Sequence, residues 1–493
     1  MIRLYNLGVQ SLWLDEGGTW AEITSRGWPA LLADLWNAKA AYPFYHLLLK
    51  AWVGVAGDSE WALRFPSALA GAGAVVAIYL AATELRRRPT TDSTPPHPFI
   101  AAILLTTSPF ALWYAQDAKV YSLLILVVAL ELWALLRAFR RNDRRAWLLV
   151  FIVAVVSLFV HRLALLAAAG VALAYLMVWP ADERRSPSNG ISHFAFHVSR
   201  TVFAAVTLVL VAGGVVGLII GVSGESQGTG GHIPAGPLQG LWLSFAHFGA
   251  DRGDIAGVLG LPLLAWILPC IALMLWGLAL LVRDAARRDP AAIAVLCLFA
   301  APLALLTAAL AIMPVYEARY ATVAFPAWIL VLAYPFVRPS PISDSGSSVF
   351  VVGRWSLVVG RWSLVVGRWS FVGSLLLGAL FLVNAMVLFQ PKHGLFSGAP
   401  VKEQWREAIG ELAHQAHPDD LIILHPYFVA PLWGYYTPRV TPDPLPQPVT
   451  FPIFAGGFCS EAYTDPVAMR ECIRREYNEP IFNEKALGKK RML

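Results

Sequence analysis

Apolar residues come in long runs along this chain, and polar residues collect between them. Runs near 61–84, 99–114, 117–137, 146–160, 163–179, 199–222, 256–282, 291–314, 320–337 and 371–389 stand out. Crossing a hydrocarbon core of about 30 Å takes about 20 apolar residues in a helix. The runs therefore predict an all-α polytopic membrane protein with about ten spans. The stretch "PFYHLLLKAWVGVA" near 43–56 is shorter and polar at its ends. It reads as a re-entrant or interfacial helix.

The intervals between runs alternate in character. "LRRRP" (85–89), "RAFRRNDRR" (137–145), "ERR" (183–185), "RDAARR" (283–288) and the loop after Arg338 are arginine-rich. "YAQDAK", "VHR", 223–255 and "PVYEARY" hold few basic residues. The excess of Lys and Arg in cytoplasmic loops puts the first set inside and the second outside. Asp15, Asp117, His161 and Arg319 then share the outer face, as do both ends of the chain. Residues 1–42 contain no apolar run to export them, so an upstream span is expected to be missing.

Three regions follow. Residues 1–60 form an outer loop with an acid pair and the interfacial helix, 61–389 the membrane domain, and 390–493 an extracytoplasmic C-terminal region. Within the second, 340–370 is a cytoplasmic loop in which "VVGRWS" recurs at a seven-residue period. On a helix, Arg354, Arg361 and Arg368 would form one drifting stripe. This reads as a tandem duplication tolerated in a loop. In the third region "VKEQWREAIGELAHQ" predicts an amphipathic helix and "DDLIILH" a strand, so a small α/β appendage is expected. Cys270 and Cys297 fall inside spans as small core residues. Cys459 and Cys472 lie in the outer tail, where a disulfide can form.

Composition supports this picture. Of 493 residues, 57% are hydrophobic and only 14% charged, against about a quarter charged in soluble domains. The net charge of +6 is scattered in short bursts, which argues against nucleic-acid binding.

Four clusters could carry chemistry. Asp15 and Glu16 adjoin in "SLWLDEGGTW"; one carboxylate can take a proton and the other tune or hold it. Gln116, Asp117, Lys119 and Tyr121 occupy the turn between two spans, where ionisable groups are functional suspects. Arg319 and Tyr320, with Glu317 beside them, open a later span, and a guanidinium suits a phosphate. His161 and Arg162 lie at another outer edge. Trp13, Trp20, Trp113, Trp242 and Trp433 are either sugar-stacking faces or membrane-interface anchors. Asp15, Glu16 and Asp117 also offer oxygens to a divalent metal, although no cofactor is required by the pattern.

Together "SLWLDE", "YPFYHLLLKAW", "GDSEWALRFPSALAG", "SPFALWYAQDAKVYSLL", "HRLALL" and "RYATVAFPAW" resemble, in this order, the bacterial branch of the GT-C membrane glycosyltransferases. That branch includes protein O-mannosyltransferase-like and aminoarabinose-transferase-like families. The resemblance implies a GT-C-like fold in a bacterial plasma membrane. It implies transfer of a sugar from a polyprenyl-phosphate donor to an acceptor hydroxyl on the extracytoplasmic face, usually with inversion. The acceptor class, whether lipid, glycan or protein, is open. On this resemblance Asp15 is the general base and Glu16 the acid that follows it. Arg319 and Lys119 hold the donor phosphate, and Gln116, Asp117, Tyr121, Tyr320, His161 and Tyr45 line the substrate. The family's His-Pro-Pro-Leu-Tyr is "AYPFY" here, keeping only Pro43 and Tyr45, and Lys119 stands where arginine is common. Two other readings stay open: a secondary transporter or lipid flippase, and an inactive GT-C-like scaffold.

Overall fold

The computed structural model describes residues 1–37, 42–85, 97–182, 205, 233–250, 263–312, 314–338, 363–391, 394–425, 427–450 and 474. The expected span at 199–222, most of the heptad repeat, Cys459 and Cys472 lie outside the described residues.

The chain is polytopic, and its described residues are mostly helical. After a short turn at Ile2–Leu4 come α1 (Leu14–Ser25), α2 (Trp28–Ala33), α3 (Pro43–Ala56) and α4 (Glu60–Glu84). Then follow α5 (Phe99–Thr107), α6 (Pro109–Ala115), α7 (Tyr121–Arg141), α8 (Arg144–Val160) and α9 (Ala164–Asp182). The second half holds α10 (Pro237–Ala250), α11 (Leu263–Ala286), α12 (Pro290–Ile312), α13 (Phe325–Val337) and α14 (Ser363–Phe389). Six helices among the described residues are long and apolar enough to cross a membrane: Glu60–Glu84, Tyr121–Arg141, Ile267–Ala286, Pro290–Ile312, Ala318–Val337 and Phe371–Phe389.

One expected span is broken. The run at 99–114 is two helices, because Ser108 caps a new start with its hydroxyl accepting from Ala111 N at 3.4 Å. Pro109 follows as the first residue of α6. Proline cannot donate to the previous turn, so the old helix stops there. α3 is 14 residues long, shorter than a span, as its pattern predicts.

Small residues set the packing. The buried face of α4 carries Ala62, Ala70, Gly71, Ala74, Ala77 and Ala81. A Cβ on Gly71 would stand 2.9 Å from Ala115 Cβ and 3.0 Å from Ser122 Oγ. Such stripes let helix backbones approach closely in a membrane, where packing rather than water drives association. Cys270 and Cys297 are buried core residues, as expected.

The two ends of the bundle differ. At one end Glu84 of α4 pairs with Arg137 and Arg140 of α7, at 3.3 and 2.8 Å. There too Asp284 accepts from Tyr334 Oη and Arg338 Nη2, both at 3.0 Å. The opposite ends of the same helices, at Glu60, Tyr121 and Arg319, meet α1 and the C-terminal region. That region folds as α15 (Trp405–Gln415) and α16 (Ala430–Val440). In it β1 (Ile423–Leu424) pairs in parallel with β2 (Val449–Thr450). The helix and the strand form where their patterns place them.

Candidate active site

The acid pair occupies the first turn of α1, where negative charge suits the helix N-terminus. Successive helical residues point about 100° apart, so neighbours in sequence part company in space. Asp15 faces a cavity and Glu16 faces the protein interior.

Glu16 is fully buried. Its Oε1 accepts from Arg64 Nε at 2.7 Å and Ala118 N at 2.8 Å. Its Oε2 accepts from Arg64 Nη2 at 2.6 Å and from Trp13 N at 3.2 Å. Burial works against its charge, but the Arg64 and Lys402 cations and these bonds hold the carboxyl well below the usual carboxylate range. Arg64 reaches further, donating to the carbonyls of Leu7, Gln10 and Ser11 at 3.0, 2.8 and 2.8 Å. This pair clamps the N-terminal segment onto α4. Glu16, expected beside Asp15 at the chemical centre, lies away from the cavity and is bonded to Arg64.

The cavity measures about 680 Å³. Its wall brings together Asp15 of α1, Asp117 and Lys119 of the turn before α7, Tyr121 of α7, and Arg319 of the 3₁₀ turn Ala318–Ala324. Aromatic faces from Trp13, Tyr42 and Trp113 complete much of it.

Asp15 Oδ2 accepts from Arg319 Nη1 at 2.7 Å. Arg319 also pairs with Glu317 and donates to Tyr121 Oη at 3.4 Å. Asp117 is buried, and its Oδ1 accepts from Trp13 Nε1 at 2.7 Å. Its Oδ2 has no hydrogen-bond partner among the described residues. Burial, with Glu16 and Asp15 nearby, pushes its carboxyl up to about 6 against the pull of Lys402 and Trp13. Lys119 is buried and donates to Tyr42 Oη at 3.3 Å. Burial opposes its charge, but Tyr42, Asp15, Tyr121 and Asp117 together hold it above the usual lysine range. His46, also in the wall, is pushed down to about 4 by burial and by Lys119.

Other expected residues stand behind the wall. Gln116 is buried and donates to the Tyr5 carbonyl at 2.7 Å. Tyr45 is buried, with its hydroxyl 3.0 Å from Ser67 Oγ. His161 accepts from Leu163 N at 3.0 Å and stacks on Tyr42 at 5.9 Å. Tyr320 is half-buried and does not line the cavity.

Sequence reasoning missed Arg64 and Lys402. Arg64 carried a signal, since a lone arginine in an otherwise apolar helix is a functional suspect. Lys402 carried none. The three carboxylates do not fit a shared metal. Glu16 turns away and is saturated by Arg64, Asp15 is bound to Arg319, and no group of three ligand-type side chains converges among the described residues.

Residues 39–210 match the family model described as "Dolichyl-phosphate-mannose-protein mannosyltransferase". The resemblance drawn from the motifs is borne out over that stretch. The crystal structure of ArnT from Cupriavidus metallidurans in the apo state is similar at a TM-score of 0.46 and 13% identity. That alignment covers 88% of this chain and 82% of that one. No curated protein matches the chain.

Proposed function

We propose that this chain is a membrane glycosyltransferase that moves a sugar from a polyprenyl phosphate to an acceptor hydroxyl at the extracytoplasmic face, with inversion. The observation that carries the reading is the cavity itself. Asp15, Asp117, Lys119 and Arg319 come from three separate stretches of chain and meet in one wall, at the end of the bundle away from the arginine clusters. A lipid-linked donor needs its chain in the bilayer and its sugar in water, and a cavity at a bundle end supplies both.

On this reading each wall residue has a role. Lys119 and Arg319 hold the phosphodiester. Asp15 takes the acceptor's proton as its oxygen attacks the anomeric carbon. The bond from that carbon to the phosphate oxygen breaks, and the electron pair leaves with the polyprenyl phosphate. The cations stabilise the charge that grows there. Asp117, in the same wall, is the acceptor left for a sugar hydroxyl. A second reading exchanges the two acids. Asp117, with an unpaired oxygen in the cavity wall and a carboxyl pushed up to about 6, also suits a base at neutral pH.

The test uses membranes holding the protein, labelled polyprenyl-phosphate sugars, and the variants Asp15→Asn and Asp117→Asn. Loss of a general base lowers turnover by about 10²- to 10⁴-fold. That loss in Asp15→Asn, with donor still bound, supports the first reading. The same loss confined to Asp117→Asn supports the second. A folded wild type that moves donor across the bilayer without transfer favours a transporter.

A further inference from the structure

Lys402 lies outside the four clusters singled out above, in the stretch "VKEQWREAIGELAHQ" of the C-terminal region, yet it is one of the most enclosed charges among the described residues. Its side chain is 3% exposed. Its Nζ donates to the Gln116 carbonyl at 2.9 Å and lies 3.2 Å from Glu16 Oε1 and 3.5 Å from Asp117 Oδ1. It also stands over the Trp113 ring, 5.6 Å from the centroid. Burying an ammonium costs several kcal/mol unless opposite charge and hydrogen bonds compensate it. Glu16 already has a two-point partner in Arg64. Lys402 therefore lies between both carboxylates, and among the described residues it is the ion-pair partner of Asp117.

The backbone around Lys402 is fastened to the segment that carries Asp15. Gln10 Oε1 accepts from Val401 N and Lys402 N at 3.0 and 2.9 Å. Glu403 Oε2 accepts from Leu14 N at 3.2 Å, and Glu407 Oε2 from Ser11 Oγ at 2.8 Å. Docking of the C-terminal region thus delivers one cation to a fixed point behind the cavity wall.

We propose that Lys402 is a positioning residue for transfer: it keeps Asp117 ionised and oriented in the cavity wall, so that the site is complete only when the C-terminal region is docked. This rests on the function proposed above. The groups facing Asp117 are Glu16 and Asp15 from α1, Arg64 from α4, Tyr45 from α3, Lys119 from its own turn, and Lys402. With Lys402 neutral, Asp117 would share Arg64 with Glu16, the better-bonded acid, and would hold its proton to higher pH.

The experiment titrates the Asp117 carboxyl by difference infrared spectroscopy of the purified full chain. The band is assigned by its loss in Asp117→Asn. Removing an opposite charge at this distance shifts a carboxyl by about one to three pH units. Lys402→Met should raise the titration by that amount and move the acid limb of the transfer rate with it, and Lys402→Arg should restore both. If Lys402→Met does not fold, Lys402→Gln, which can still donate to the Gln116 carbonyl, carries the same test. An unchanged Asp117 titration in a folded neutral variant overturns the proposal. So does a shifted titration with an unmoved acid limb. The infrared arm does not depend on activity. A shifted titration in the neutral variant, with a wild type that transfers no sugar, would uphold the pairing and bring down the functional reading alone.

Discussion

Asp15 and Arg319, 304 residues apart in the chain, are joined by a 2.7 Å ion pair in the cavity wall. Arg319 is also paired with Glu317. The arginine therefore meets the donor already shared between two carboxylates. Lys119 meets it with the Tyr42 hydroxyl at 3.3 Å as its side-chain partner. Lys119 should be the stronger hold on the phosphate. Lys119→Met should weaken donor binding by about 10- to 100-fold, the worth of a charge-assisted hydrogen bond. Arg319→Met should cost less. Displacement of labelled donor measures both, and a larger loss in Arg319→Met would reverse the assignment.

Asp15→Asn removes one of the two acids competing for Arg319. The pair is about one-quarter exposed on each side, and such pairs are worth about 0.2–1 kcal/mol. Donor affinity should rise by about 1.5- to 5-fold while transfer is lost. The same displacement assay reads it. Weaker donor binding in this variant would mean that Asp15 itself contacts the donor.

Arg64 and Glu16 are enclosed, and Arg64 also satisfies three carbonyls of the N-terminal segment. Arg64→Met strands a buried carboxylate and those acceptors. A loss of about 3–5 kcal/mol is expected, seen as a lowered unfolding midpoint in detergent. Glu16 itself contributes stability that is present above the ordinary carboxylate range. That stability is lost only as pH falls through its depressed folded value.

Asp117 has the opposite sign. Its carboxyl is pushed up to about 6, so the folded state holds the proton more tightly than the unfolded chain. Stability is lost as pH rises from about 4 through about 6. Asp117→Asn should therefore lose less stability than wild type between pH 5 and pH 8, and should be lower in transfer. Unfolding midpoints at pH 5 and pH 8 check this. An equal difference at both would remove the titration as its cause.

Gly17 of α1 sits against α16. A Cβ there would come 2.6 Å from Leu432 Cδ2 and 2.7 Å from Cγ. Gly17→Ala should loosen the C-terminal region by about 1–3 kcal/mol through overpacking. Faster proteolysis between α15 and α16 would report it, and Leu432→Ala on top should relieve it. No relief would place the strain elsewhere.

Much of the fold was legible because a membrane span is a local property. About 20 apolar residues cross the bilayer whatever the rest of the chain does. Each crossing changes side, so alternating charge shows which loops share a face. That reasoning put Asp15, Asp117, His161 and Arg319 on one side; Asp15, Asp117 and Arg319 line one cavity, and His161 stands behind it. It failed locally at Pro109, where hydropathy continues but the helix cannot.

The sequence by itself determined the helical membrane architecture and the residue types of the wall. Only the tertiary structure decided which acid of the pair faces the cavity, because that depends on Arg64 lying behind Glu16. It decided that Arg319 reaches Asp15, and that Lys402 enters between Glu16 and Asp117. These are pairings across tens to hundreds of residues. Hydropathy and helical period are blind to them, because a charge finds its partner through the packing of several helices at once.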